Sequence, residues 1–239
     1  VALTPITHES VSRFCGLVIG HSGIGKTSLI RTIPETDKAC VLSAESGLLA
    51  VADLVRDGRV EGYEIKSIDE FVEAFNLLNT DAEMKSRYKW IFIDSLTEIA
   101  GRCVEAMKRK HTNSADTFKL WGEYADIMTS LIKGFRDMKN YNVVFTCLPQ
   151  NEKDELNRRF YGPALQGATL KDRLISYFDE VFFYTKVTID GNEDRVFITD
   201  EWERHPAKDR SGKLAAPFEE PHLGNIYNKI MGETVAQGA

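Results

Sequence analysis

The sequence lacks the long apolar run that a bilayer would demand. No stretch approaches the roughly 20 consecutive apolar residues of a spanning helix. It also lacks a basic segment followed by an apolar one at its start, so no secretory signal is expected. Cysteine is scarce: Cys15, Cys40, Cys103 and Cys147 stand far apart, with no Cys-x-x-Cys pair. That spacing offers no zinc cluster, and the thiols are expected as buried small hydrophobes in a reducing compartment. A basic excess is missing too. The net charge is −6, which argues against a constitutive, charge-driven hold on nucleic acid. Any such contact must come from local patches. There is no internal repeat and no low-complexity tract. Together these absences predict a cytoplasmic protein with no membrane partner.

What is present is an alternation of strands and helices. "FCGLVIG" (Phe14 to Gly20), "ACVLSA" (Ala39 to Ala44), "KWIFID" (Lys89 to Asp94) and "NVVFTCL" (Asn142 to Leu148) are short apolar runs that read as buried strands. "GYEIK" (Gly62 to Lys66) reads as an edge strand. A short helix is expected from Lys26 to Ile33, stopped by Pro34. Ser67 and Glu70 form a capping box ahead of Phe71, Phe75 and Leu78. Another helix starts near Leu96. A long one runs from about Asp116 to Lys139, with Phe118, Trp121, Ile127, Leu131 and Phe135 near one face. The polar stretch from Pro149 to Gly167 reads as a loop. After it, "FDEVFFYTKV" (Phe178 to Val187) and "DGN" (Asp190 to Asn192) signal a hairpin. His222 to Gly232 reads as a last helix. The pattern predicts an α/β fold: a mostly parallel sheet, helices on both faces, and an antiparallel hairpin at one edge.

Between the first strand and the first helix stands "VIGHSGIGKT". Gly20, His21, Ser22, Gly23, Ile24, Gly25, Lys26 and Thr27 fit G-x-x-x-x-G-K-[ST], and Ser28 follows. The strand-loop-helix context is what the motif needs. Glycines let backbone N–H groups wrap phosphate oxygens. Lys26 is expected at the β/γ-phosphates and the Thr27 hydroxyl on Mg²⁺. The cofactors are therefore ATP and Mg²⁺. Asp94 ends its strand at the edge where ligands sit in a parallel sheet, and is the expected metal-side acid. Ser95 could cap the next helix or hydrogen-bond near the metal. Glu45, just past the second strand, is the candidate general base. Gln150, just past "VVFTCLP", is a candidate sensor of the γ-phosphate.

The order of these motifs resembles a known family. A phosphate loop, "LSAESG", "IFIDS", a strand ending near Gln, then "YFDEVFFY" resemble the RecA-like core of bacterial RecA and the Rad-type recombinases. With "KDRSGKL" and "EEPHLGNIYNKIMG", the chain is most similar to the short phage-encoded version, the phage nucleotide-binding AAA proteins linked to single-strand annealing. The resemblance runs from about Arg13 to Gly232. It implies a RecA-like ATPase core over residues 13–232, with an N-terminal extension at 1–12 and a tail at 233–239. It matches Glu45 to the catalytic Glu, Asp94 to the magnesium-associated Asp, and either Gln150 or Asn151 to the γ-phosphate sensor.

The resemblance also implies function. Its two DNA-facing loops would follow the Asp94 strand and Gln150. Lys108, Arg109 and Lys110 lie at the first, and Arg158, Arg159 and Phe160, with Tyr161, at the second. Cations beside aromatics suit single strands. Lys208, Arg210 and Lys213 would act in trans on a neighbour's ATP in a homo-oligomer. The implied partners are single-stranded DNA, other copies of the chain and a single-strand DNA-binding protein. The implied activity is DNA-stimulated ATP hydrolysis serving phage-type recombination or annealing. The alternatives are a small-molecule or nucleoside kinase, and a nucleotide-dependent assembly switch without DNA binding.

Overall fold

The structure is a computed structural model that describes residues 13–45, 47–111, 117–153, 155–189 and 191–232. The N-terminal extension, the C-terminal tail, Asp116 and Asp190 lie outside the described residues.

Five parallel strands form the centre: β1 (Cys15–Gly20), β2 (Ala39–Ser43), β3 (Val60–Glu64), β4 (Trp90–Asp94) and β5 (Asn142–Cys147). β8 (Glu180–Ile189) extends the parallel set beside β1. β9 (Asn192–Ile198) then turns back antiparallel to β8. The two-residue strands β10 (Lys208–Asp209) and β11 (Phe218–Glu219) pair with β8 and β9. The main order is β3-β2-β4-β5-β1-β8-β9-β11. The expected mostly parallel sheet with an antiparallel edge is what the chain builds.

Side-chain alternation divides the core. Cys15, Leu17 and Ile19 of β1 face one apolar cluster, and Val18 faces the other. The first cluster packs under α2 (Ile68–Thr80), α4 (Leu96–Lys110), α5 (Thr117–Arg136) and α6 (Ala168–Leu174). The second lies under the helical turn Thr27–Thr32, the short α1 (Ala52–Arg56) and α7 (Leu223–Met231). A small α3 (Ala82–Arg87) leads into β4. Both faces of β1, β2, β4 and β5 are covered, which is why those strands are largely apolar, while the edge strand β3 is partly exposed. All four cysteines are buried and free.

Four expectations need correction. The helix after the phosphate loop is a six-residue 3₁₀ turn, Thr27–Thr32, rather than an α-helix. The edge strand β3 begins two residues earlier than read, at Val60. On α5 the buried face is Leu120, Tyr124, Met128, Leu131, Ile132 and Phe135, while Phe118 is 95% exposed. Trp121 and Ile127 flank that face, partly buried. The polar stretch after Pro149 is a hairpin, β6 (Pro149–Lys153) against β7 (Arg159–Pro163). "PQNEK" carries no apolar or β-branched residue, so its pairing rests on backbone hydrogen bonds that propensity does not reveal.

Candidate functional site

The phosphate loop joins β1 to the Thr27 turn at the C-terminal edge of the sheet. Gly20 has no room for a side chain: a Cβ there would lie 2.9 Å from the Tyr184 carbonyl of β8 and 3.1 Å from Ile24 Cγ2. Gly25 has φ of 110°, a backbone that other residues rarely adopt. These two positions let the chain fold back tightly.

Lys26 is buried inside that loop. Its ammonium donates to the carbonyls of Gly20 (2.8 Å) and His21 (3.1 Å). Two of its three N–H donors therefore hold the loop closed. Burial pushes the Lys26 pKa down, while the nearby charges of Glu45 and Asp94 push it back up. Both carboxylates are thus close enough for Lys26 to feel.

Asp94 is buried and fully engaged. Its Oδ2 accepts from Thr27 Oγ1 and its Oδ1 from Thr146 Oγ1, each at 2.6 Å. The acid, the motif threonine and a β5 hydroxyl thus converge. Register sets this up: Ser43 of β2 sits beside Asp94 of β4, and Thr146 follows Phe145, the partner of Ile93. The Ser43 hydroxyl is buried with no hydrogen-bond partner among the described residues.

Glu45 is exposed at the same edge. Ser95 Oγ donates to its Oε1 at 2.6 Å. Ser95 also caps α4, accepting from the Glu98 N–H. Ser95 thus takes the capping role and also holds Glu45, and Asp94 is left for the site.

These residues fit a nucleotide with Mg²⁺. Lys26 supplies the cation within the glycine loop. Thr27 and Asp94 are already together and would hold the ion, with the unpartnered Ser43 hydroxyl beside them. Thr146 and Ser43 were not foreseen. Each is a hydroxyl residue at or near the C-terminal end of its strand, a local feature that does not tell which strands lie side by side.

The remaining candidates lie outside this convergence. Gln150 is in β6, and its amide donates to Glu152 at 3.0 Å. Asn151 is exposed and pairs with Tyr161 across the hairpin. Lys108, Arg109 and Lys110 end α4, and Lys110 pairs with Glu123 at 2.7 Å. Cations in the last turn of a helix also favour its dipole. Arg158, Arg159 and Phe160 stand at the exposed start of β7. Lys208 donates to the Phe178 carbonyl, Arg210 pairs with Asp179, and Lys213 donates to the Ile230 carbonyl. Lys208 and Arg210 border the start of β8, about 13 Å along the strand from the residues beside the phosphate loop.

Among the described residues no helix is long and apolar enough to cross a membrane. No curated protein matches the chain. A family model described as an AAA domain matches residues 12–211, most of the chain and all of the convergent residues. With its phosphate loop set on a mostly parallel sheet, the chain belongs to the AAA domain family of P-loop ATPases.

Proposed function

We propose that this chain is a RecA-like ATPase that hydrolyses ATP with Mg²⁺ and binds single-stranded DNA in phage-type recombination or annealing. The observation that carries the ATPase is the convergence of Lys26, Thr27 and Asp94, with Glu45 beside them at the same sheet edge. A bound Mg²⁺ would neutralise charge on the phosphate oxygens. Lys26 exchanges its loop carbonyls for the β/γ-phosphates. Glu45, exposed to water and oriented by Ser95, takes the proton of the water that adds to the γ-phosphorus, and ADP leaves. In a kinase the same carboxylate would have to face an acceptor hydroxyl instead of water.

The DNA reading rests on local charge. Lys108 to Lys110 end one helix, and Arg158, Arg159 and Phe160 open one strand, on a chain that is acidic overall. For Lys208, Arg210 and Lys213 to act in trans within a homo-oligomer, each must exchange its present partner in the chain.

The test is ATP turnover with and without single-stranded DNA, in the parent chain and in Glu45→Gln. The expected result is turnover stimulated by DNA, reduced in the variant by about 10²–10⁴-fold with nucleotide binding retained. No turnover under either condition, with nucleotide still bound, would leave an assembly switch. Turnover that ignores DNA, with no DNA bound, would leave an ATPase of another kind.

A further inference from the structure

Beside the β6–β7 hairpin lies a cleft of about 740 Å³. One wall is Arg158, Arg159 and Phe160. The other is a tight turn carrying Arg204 and His205, and Ile175 adds an apolar side chain. The volume is that of a small-ligand site.

Several contacts build this cleft. The Tyr161 N–H donates to the Arg204 carbonyl at 2.8 Å, tying wall to wall. The Tyr161 ring stacks on His205 at 5.0 Å and 22°, and His205 stacks on Trp202 at 5.9 Å and 16°. The second turn closes with the His205 N–H on the Trp202 carbonyl. It forces Glu203 to φ of 53°. Among the described residues, the only other non-glycine at positive φ is Asn157, at φ of 60°, beside Arg158 on the opposite wall. Backbone held in such regions gathers at functional sites. Burial holds the His205 imidazole below its ordinary pKa, so its ring offers a face rather than a charge. The cations are the arginines: three against Glu201 and Glu203, a local positive excess on an acidic chain.

We infer that this cleft seats an extended single strand of DNA, with Arg204 as a second cationic wall opposite Arg158 and Arg159, and Phe160 as a stacking surface. This rests on the DNA reading above and adds a wall that the hairpin residues alone do not supply. Exposed bases and backbone phosphates match an aromatic beside arginines, and a single strand offers both along its length. The rings behind the cleft reach the phosphate loop. The Tyr161 ring that stacks on His205 meets the His21 ring edge-on at 5.6 Å. One side chain therefore links a residue of the cleft to a residue of the loop.

The test is fluorescence anisotropy of a labelled oligothymidylate of about 20 nucleotides, longer than a typical site of about 4–16. The full chain is used with a non-hydrolysable ATP analogue. Arg204 and Phe160 are exposed, so their variants should fold, and a thermal melt checks this. Arg204→Ala is expected to weaken binding about eightfold at 50 mM salt and to lower the log–log salt slope by about 0.7. Phe160→Ala should weaken it about tenfold with the slope unchanged. If the parent binds DNA and both variants bind equally well, the cleft assignment falls and the DNA reading stands. If the parent binds no DNA, both fall. If an oligoglutamate competes as well as unlabelled oligothymidylate, the cleft is a general polyanion surface and the inference is overturned.

Discussion

The phosphate-loop edge and the hairpin cleft gather charge with opposite materials. At the loop, the charged groups are buried or held in place by neighbouring hydroxyls and carbonyls. Asp94 is bound by Thr27 and Thr146, Lys26 by two loop carbonyls, and Glu45 by Ser95. At the cleft the arginines are exposed, and what is fixed is the backbone and the rings behind them. The contrast suits the two ligands proposed. A triphosphate has one shape, so a preorganised site gains from removing water and freedom in advance. A nucleic acid strand varies in sequence and conformation, so its holders need reach more than rigidity.

The comparison breaks first at Lys26. Lys26→Ala removes the cation from inside the glycine loop. Turnover is expected to fall by about 10²–10³-fold or more, read by steady-state phosphate release. Binding of a fluorescent ATP analogue should weaken as well. If turnover persisted near the parent level, the loop would not be the reacting site, and the contrast with the cleft would lose its basis.

A smaller effect is expected at Thr146. Thr146→Val keeps the shape but removes the donor to Asp94 Oδ1, inside a buried row. Asp94 keeps Thr27 as its partner. Loss of one buried hydrogen bond to a charged group costs about 1.5–3 kcal/mol. Turnover at saturating ATP is expected to drop about tenfold, with a rise in the Mg²⁺ concentration needed for half-maximal rate. An unchanged Mg²⁺ dependence would mean that Thr146 only supports the strand.

How much of this was legible depended on where the information sits. The central strands could be read because burial on both faces leaves continuous apolar runs, as in "VVFTC" and "WIFID". The phosphate loop could be read because its glycines answer local demands, room at Gly20 and φ at Gly25. The capping box was local too, and Ser67 does accept from the Glu70 N–H. The row Ser43–Asp94–Thr146 could not be read, because it exists only once the register of three strands is known. Arg204 was invisible for the same reason: its link to Tyr161 is a backbone bond between distant segments. The buried face of α5 was misplaced because Phe118 is apolar yet exposed.

Tyr161 sharpens the comparison by joining its two halves. Tyr161→Leu keeps an apolar side chain but removes the ring between His21 and His205. The ratio of turnover with DNA to turnover without it is expected to fall several-fold, towards one. The same ratio in the variant as in the parent would show that the two sites communicate by another route, or not at all.

The last test lies at the start of β8, and it reads stability rather than activity. Glu180 is buried, with Oε1 accepting from the Ser211 N–H at 3.3 Å and Oε2 unpartnered among the described residues. Burial first, then the Asp209 carboxylate facing it from β10, pushes its pKa up to about 8. Asp179 adds to this, while Lys208 and Arg210 carry the opposite charge on the same stretch. The folded chain therefore holds a proton on Glu180 at a pH where the unfolded chain has released it. Stability from this group is full below the ordinary carboxylate pKa of 4.5 and is lost as pH rises to about 8. The slope is at most about 1.4 kcal/mol per pH unit. Glu180→Gln keeps a hydrogen-bonding side chain that cannot ionise, so this component of the pH dependence should vanish. Denaturant midpoints at pH 5, 6.5 and 8 would show it as a flatter profile, with the variant gaining on the parent as pH rises. A variant that tracks the parent at every pH would mean that Glu180 is ionised in the folded chain, held by Lys208 and Arg210. Those two cations would then be committed to the β8–β10 junction and poorly placed to leave it for a neighbour's nucleotide.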